Sequence, residues 1–277
     1  MKNLLKQKAE KRVYENDTQK ELTEAAQNLQ FEHLVEDSIT LKIDYQDPNI
    51  KRRAQTIGLA TNIAFKLIYE TFNFGFSKLN LYRDNNLFQM GEDFEKTMVE
   101  LDDVGPEYRQ VFTKTINTAN SLYLYFDENV FNTEARRVIA NLSVTLAWLE
   151  AKYRSGFFPA DLFILLPESS THQSLVAEVV AVLDNAVYMK STTKEDLYIN
   201  PILEVNGLRT SVDFIINDTL VEITTTANLP SPDKVDINAF KAFYVLNEVI
   251  KEYDIKYAVT KFVRFGATKY RYQLKGD

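Results

Sequence analysis

The chain contains no cysteine and only two histidines in 277 residues. The first absence excludes thiol nucleophiles, disulfides and cysteine-ligated zinc or iron–sulfur sites, and it suits a reducing, cytoplasmic setting. The two histidines, His33 and His172, lie far apart and outside any metal-ligand spacing, which argues against histidine-centred acid–base chemistry. Any catalysis therefore falls to carboxylates, lysines, hydroxyls or a metal held by oxygen ligands. Long apolar runs are missing too. None approaches the roughly 18 residues that span a bilayer, and the opening MKNLLKQKAEKR lacks the apolar core of a signal peptide. The expectation is a cytoplasmic protein without a membrane partner.

What is present is globular composition, 45% apolar and 12% aromatic, enough to bury a sizeable core. The net charge of −7 is unevenly spread. Residues 84–109 carry eight acidic side chains against Lys96 and Arg109, whereas from Lys251 onward seven basic groups face three acidic ones. The basic end is where a polyanion would bind. Residues 1–30 read as a polar helical arm that cannot fold alone. That arm and the acidic stretch at 84–109 are candidate docking surfaces for a protein partner.

Hydrophobic periodicity predicts helices over Ile57–Phe72, residues 106–126, Glu134–Tyr153 and about Thr171–Val187. The segment SITLKIDY is rich in β-formers. Past Val187 the pattern changes to strands in YINPILEVNG, RTSVDFII and TLVEITTT. Ser231-Pro232 signals the start of a helix running to about Tyr253, with serine as cap and proline at the first helical position. Strands KYAVTKFVRF and TKYRYQL follow, flanking Gly266. The resulting fold class is α/β, a helical N-terminal half with a mixed sheet flanked by helices behind it. The divisions are a leading arm at 1–56, a helical region at 57–165 and an α/β core at 166–277.

Chemistry concentrates in SVDFII-ND-TLVEITT. Asn217-Asp218 makes a two-residue hairpin turn because both residues tolerate left-handed backbone angles. Ile216 then faces Thr219, Ile215 faces Leu220, and Asp213 falls opposite Glu222. Val212, Phe214, Val221 and Ile223 share one face, and Ser211, Asp213, Glu222 and Thr224 the other. Two opposed carboxylates repel unless a cation or proton sits between them. Either a divalent metal bridges them, Mg²⁺ or Mn²⁺ being suited to oxygen ligands and retained waters, or both lean outward as a solvated face.

Asp213 followed by Glu222-Ile223-Thr224 resembles the core of the PD-(D/E)XK nucleases, in which an Asp on one strand precedes a Glu or Asp, one residue and a Lys on the next. AWLEAKYRSGFFP, IGLATNIAFKLIYE and the ending VTKFVRFGATKYRYQL resemble elements that accompany this core in uncharacterised prokaryotic proteins. The resemblance implies a PD-(D/E)XK-like sheet core, Asp213 and Glu222 as ligands of Mg²⁺ or Mn²⁺, and hydrolysis of DNA or RNA, in prokaryotic defence or a mobile element. The chain departs from the pattern at Thr224, which stands where active members carry lysine. A neutral hydroxyl supplies no charge stabilisation there. Some relatives move this lysine to the following helix, where Lys234, Asn238 and Lys241 would share one face; Lys241 is the candidate, or else an ordinary solvated lysine. Two lesser candidates for an extra carboxylate are Glu178, otherwise a surface glutamate, and Glu204 in ILEVNG, a third ligand from the neighbouring strand if the register brings it there.

In the terminal hairpin, a turn at Gly266-Ala267 would pair Arg264 with Lys269 and Phe262 with Arg271. Arg264, Lys269 and Arg271 then form a basic face for phosphate contact, or a basic outer face with no role. Two functions stay open: a metal-dependent nuclease, or a nuclease fold that lost catalysis with its lysine and now binds nucleic acid or a partner.

Overall fold

The structure, a computed structural model, describes residues 31–34, 43–45, 53–74, 106, 109–110, 113, 132–155, 167–186, 197–206, 208–266 and 269–274. Three long helices, α1 (Ala54–Phe74), α2 (Thr133–Ser155) and α3 (Ser170–Asn185), precede most of the strands. Their boundaries lie within a few residues of those the apolar periodicity predicts. The arm at 1–30, nearly all of 84–109 and most of the helix expected at 106–126 lie outside the described residues.

The strands are β1 (Phe31–Leu34), β2 (Leu197–Ile199), β3 (Ile202–Val205), β4 (Leu208–Ser211), β5 (Phe214–Ile216), β6 (Thr219–Thr224), β7 (Tyr257–Phe262) and β8 (Lys269–Leu274). Six of them form one mixed sheet in the order β1-β8-β7-β6-β5-β2, while β3 and β4 form a separate two-stranded ribbon. The pair β6–β7 is parallel and is joined through helix α4 (Asn238–Ile250). A parallel pair needs such a crossover, and with helices on both faces its strands are buried on both sides. Strand β1 was not anticipated; it pairs with β8 through Phe31↔Leu274.

Two apolar cores flank the sheet. On one side α1, α2 and α3 pack Phe65, Ile68, Leu146 and Val179 against Phe214, Val221 and Val259. On the other, Phe240, Phe243 and Leu246 of α4 pack on Ile215, Leu220 and Ala258. Each large apolar side chain so buried is worth about 1.5–3 kcal/mol. The stretches separated in sequence at residue 165 thus share one core, which holds both Ile57 and Phe214.

Three expectations about local geometry need correction. Ser231-Pro232 opens only a 3₁₀ turn, Pro232–Lys234, and Ser231 makes no side-chain cap bond. The α-helix begins at Asn238, whose N–H is accepted by the Asp236 carboxylate. Lys234 therefore lies outside α4 and cannot share a helical face with Asn238 and Lys241. Val212 and Phe214 do not share a face either. Phe214 packs with the three helices and Val212 with α4, because the chain bends at Asp213 as it leaves the β3–β4 ribbon for the main sheet. Finally, Val263–Phe265 winds into a 3₁₀ turn instead of continuing β7. Lys269 consequently pairs with Lys261, and Arg271 with Val259.

Candidate functional site

The hairpin register places the two carboxylates. Asn217 takes a left-handed φ of 56°, and Ile216↔Thr219, Ile215↔Leu220 and Phe214↔Val221 pair as the two-residue turn predicts. The ladder stops there. At the bend, the Asp213 side chain takes over from the main chain: its Oδ2 accepts the Ile223 N–H at 2.9 Å, while its carbonyl accepts the Asn200 N–H at 2.8 Å. Glu222 sits one residue earlier on β6, beside Thr260 of β7. Its carboxyl and that of Asp213 are hydrogen-bonded to each other.

Helix α1 supplies the counter-charge. Lys66 Nζ lies 3.2 Å from Asp213 Oδ1 and donates to Asn200 Oδ1 at 3.1 Å. Both charged side chains are buried, 8% and 10% exposed. The Asn62 amide, one helical turn earlier, also hydrogen-bonds Asp213. Asn200 reaches the site because its backbone is left-handed, φ 50°, a conformation asparagine tolerates better than most residues.

The electrostatics of the two carboxyls diverge. Burial opposes ionisation of Asp213, but Lys66, Asn62, the Ile223 N–H and Glu222 together hold it below its usual range. Burial, the neighbouring Asp213 charge and their shared hydrogen bond push Glu222 up to about 9. The pair therefore carries one proton at neutral pH, the usual outcome for two carboxyls that cannot both ionise.

These residues open on a cleft of about 940 Å³ between α1, α2 and the ends of β4 and β6. Arg53 and Trp148 lie at the start of α1 and on α2, with the guanidinium 5.7 Å from the indole centroid. Gly58 allows α1 to press close to the strand ends: a Cβ there would stand 2.9 Å from Thr225 Oγ1.

The donor set fits a divalent cation. Two carboxyl oxygens that already need a proton between them, on the wall of this cleft, are the hard oxygen donors that such a cation prefers. Among the described residues no third carboxylate or histidine joins them, so the remaining coordination would fall to water and substrate oxygens.

The other candidate residues are dispersed. Thr224 ends β6 and lines the cleft. Lys241 lies in the first turn of α4 and is not among the cleft-lining residues. Glu204 is exposed on the ribbon opposite Arg209. Glu178 is no surface residue: it is 1% exposed and lies 3.3 Å from Arg264 Nη2, itself 1% exposed. Arg264 also donates to the Ile43 carbonyl and covers the Tyr45 ring at 3.9 Å. A buried, structurally engaged arginine cannot contact phosphate, and the basic face of Arg264, Lys269 and Arg271 does not form. Arg271 stacks on Tyr257 at 3.8 Å, and Lys269 stands beside Lys261. His172 is buried against Asn141, a packing role.

Sequence reasoning missed Lys66, Asn62, Asn200 and Arg53. One signal was available: Lys66 interrupts the apolar run IAFKLIY, and a lysine there must find a partner because an unpaired buried charge is prohibitive. No family model, curated protein or solved structure matches the chain.

Proposed function

We propose that the chain is a metal-dependent nuclease whose missing strand lysine is supplied by Lys66 from α1. The observation that carries this reading is the buried Lys66 ammonium, 3.2 Å from the Asp213 carboxylate and on the same cleft as Glu222 and Thr224. Asp213 and Glu222 would hold Mg²⁺ or Mn²⁺, which when bound polarises a phosphate and activates water. Lys66 keeps Asp213 ionised. Two of its three donors are engaged by Asp213 and Asn200, leaving one for a phosphate oxygen or water, where its charge opposes the negative charge that develops during hydrolysis. Asn62 and the Ile223 N–H fix the carboxylate orientation.

The test is cleavage of single-stranded and duplex DNA and RNA with Mn²⁺ by native protein, Lys66→Ala, Asp213→Ala and Lys241→Ala. Native protein and Lys241→Ala should cleave alike, whereas Asp213→Ala and Lys66→Ala should lose at least about a hundredfold in rate, as removal of one charge-stabilising donor commonly does. Equal cleavage by Lys66→Ala and native protein would remove Lys66 from the chemistry. One feature favours a second reading: Lys66 and the shared proton already neutralise the carboxyl pair, as a nuclease fold kept only for binding would allow. Absence of cleavage by native protein, with nucleic-acid binding retained, selects that reading.

A further inference from the structure

The cleft extends well beyond the carboxyl pair. Gln55, Leu59, Asn62 and Lys66 fall at helical spacing along one side of α1 and all line it. From Lys66 back to Arg53 the helix covers roughly 20 Å, at about 1.5 Å per residue. Arg53 stands at that far end, partly exposed, held over the Trp148 ring. Among the described residues, no carboxylate pairs with it.

The charges lining this cleft are unlike those of the whole chain. Its ionisable residues are Arg53, Lys66, Asp213 and Glu222. Both cations come from the α1 side, and Arg53 lies at the end away from the carboxyl pair, inside a protein of net charge −7. A cationic, partly enclosed end of a groove on an acidic protein attracts an anion to one place instead of coating the surface. Among the described residues the buried indole N–H of Trp148 has no hydrogen-bond partner, so the Arg53 end has a second donor group close by.

Shape then limits the anion. A volume of about 940 Å³ is at the upper end of small-ligand pockets, roughly 300–1,000 Å³. Gly58 and Thr225, in close approach, both line the groove between Arg53 and Lys66. A duplex, whose major groove alone is about 12 Å wide, cannot lie inside it. A few nucleotides of one strand can.

The geometry points to Arg53 as a phosphate anchor for single-stranded nucleic acid, engaging the backbone at the far end of the cleft from Asp213 and Glu222. This rests on the proposed function only in taking nucleic acid as the substrate. Arg53 is a positioning residue: it sets where the strand lies and selects single strands over duplex. A guanidinium suits the task because it can grip phosphate with two parallel N–H donors.

Binding is measured in EDTA, so that cleavage plays no part. The probe is a short fluorescein-labelled oligothymidylate, free or annealed to its complement, titrated at several salt concentrations. Native protein should bind the single strand at least about tenfold more tightly than the duplex, equivalent to roughly 1.4 kcal/mol. Arg53→Ala should flatten the log–log salt dependence by about 0.7, the loss of one single-strand phosphate contact. Arg53→Lys should keep the native slope while binding more weakly. Trp148 is the only tryptophan in the chain, so an unlabelled strand that draws Arg53 off the indole should change intrinsic fluorescence. If Arg53→Ala melts lower than native protein, Arg53→Gln, which keeps most of the side-chain length, is read instead. Equal affinity for duplex, an unchanged salt slope in Arg53→Ala (or in Arg53→Gln where that variant is read), or a silent Trp148 signal would each overturn the assignment. Cleavage is scored separately, so Arg53-dependent binding without cleavage defeats the nuclease reading and leaves this one standing.

Discussion

Lys66 and Asp213 are each other's condition for being buried. An ammonium and a carboxylate at 8% and 10% exposure survive there because the pair is close and hydrogen-bonded, to Asn200 on one side and to Asn62 and the Ile223 N–H on the other. Removing one partner strands the other. Lys66→Met, which keeps length and loses charge, should destabilise the fold by about 3–5 kcal/mol. Lys66→Met combined with Asp213→Asn should recover most of that loss, because the amide still accepts the Ile223 N–H and no buried charge is left. Denaturant unfolding of the two single variants and the double variant measures this directly. Additive losses would mean that the pair is not coupled.

The carboxyl pair also sets how stability depends on pH. Glu222 has a folded value of about 9 against an ordinary 4.5. Between these limits the folded protein holds a proton that the unfolded chain has released, so stability contributed by Glu222 is fully present below about 4.5 and is lost as pH rises to about 9. The slope is at most about 1.4 kcal/mol per pH unit, that of one proton. Asp213 acts the other way, contributing stability above its ordinary value that is lost as pH falls through its depressed one. In chelator, the native midpoint should decline from pH 5 to 9 and that of Glu222→Gln should decline less. A Glu222→Gln profile parallel to the native one would show that the proton is held elsewhere.

At the scale of elements, four non-glycine residues among those described adopt left-handed backbone angles, and each ends or turns something: Asn200, Asn206, Asn217 and Lys251. Three are asparagines, which bear this conformation well. Lys251 does not share that tolerance. It caps α4 at φ 55° and its N–H reaches the Asn247 carbonyl, a position where glycine is preferred. Lys251→Gly should therefore raise stability by up to about 1 kcal/mol, whereas Asn217→Val in the hairpin turn should lower it by about 1–2 kcal/mol. Midpoints from thermal melting compare the two. A loss of stability in Lys251→Gly would place the strain elsewhere.

The bend at Asp213 is the element-scale event on which the site depends. Straight alternation would carry Val212 and Phe214 to one face. Instead Val212 follows the β3–β4 ribbon into the α4 core and Phe214 enters the main sheet beneath α1. The turn at Asn217 and the pairing from Phe214 to Thr219 were legible from local residue chemistry. The bend was not, since it arises where two sheets compete for consecutive residues.

Across the whole molecule, two apolar cores on opposite faces of a mixed sheet tie the early helices to the later strands. Among the described residues no helix is long and apolar enough to cross a membrane. Buried Arg264 shows how far the ends of the chain cooperate. It bonds Glu178 on α3 and the Ile43 carbonyl, and it covers Tyr45.

Sequence alone determined the three long helices, the hairpin and its register, and the meeting of Asp213 with Glu222, because each follows from periodicity or from a turn within a few residues. Tertiary structure decided the rest of the site. Lys66 comes from a helix more than a hundred residues upstream of Asp213, and α1 carries it there because its apolar surface is buried against the sheet. Lys241, close in sequence, sits outside the cleft, and Arg264, read as a surface cation, is enclosed. In each case the charge went where packing left a partner for it, and local patterns contain no record of which distant element that partner lies on.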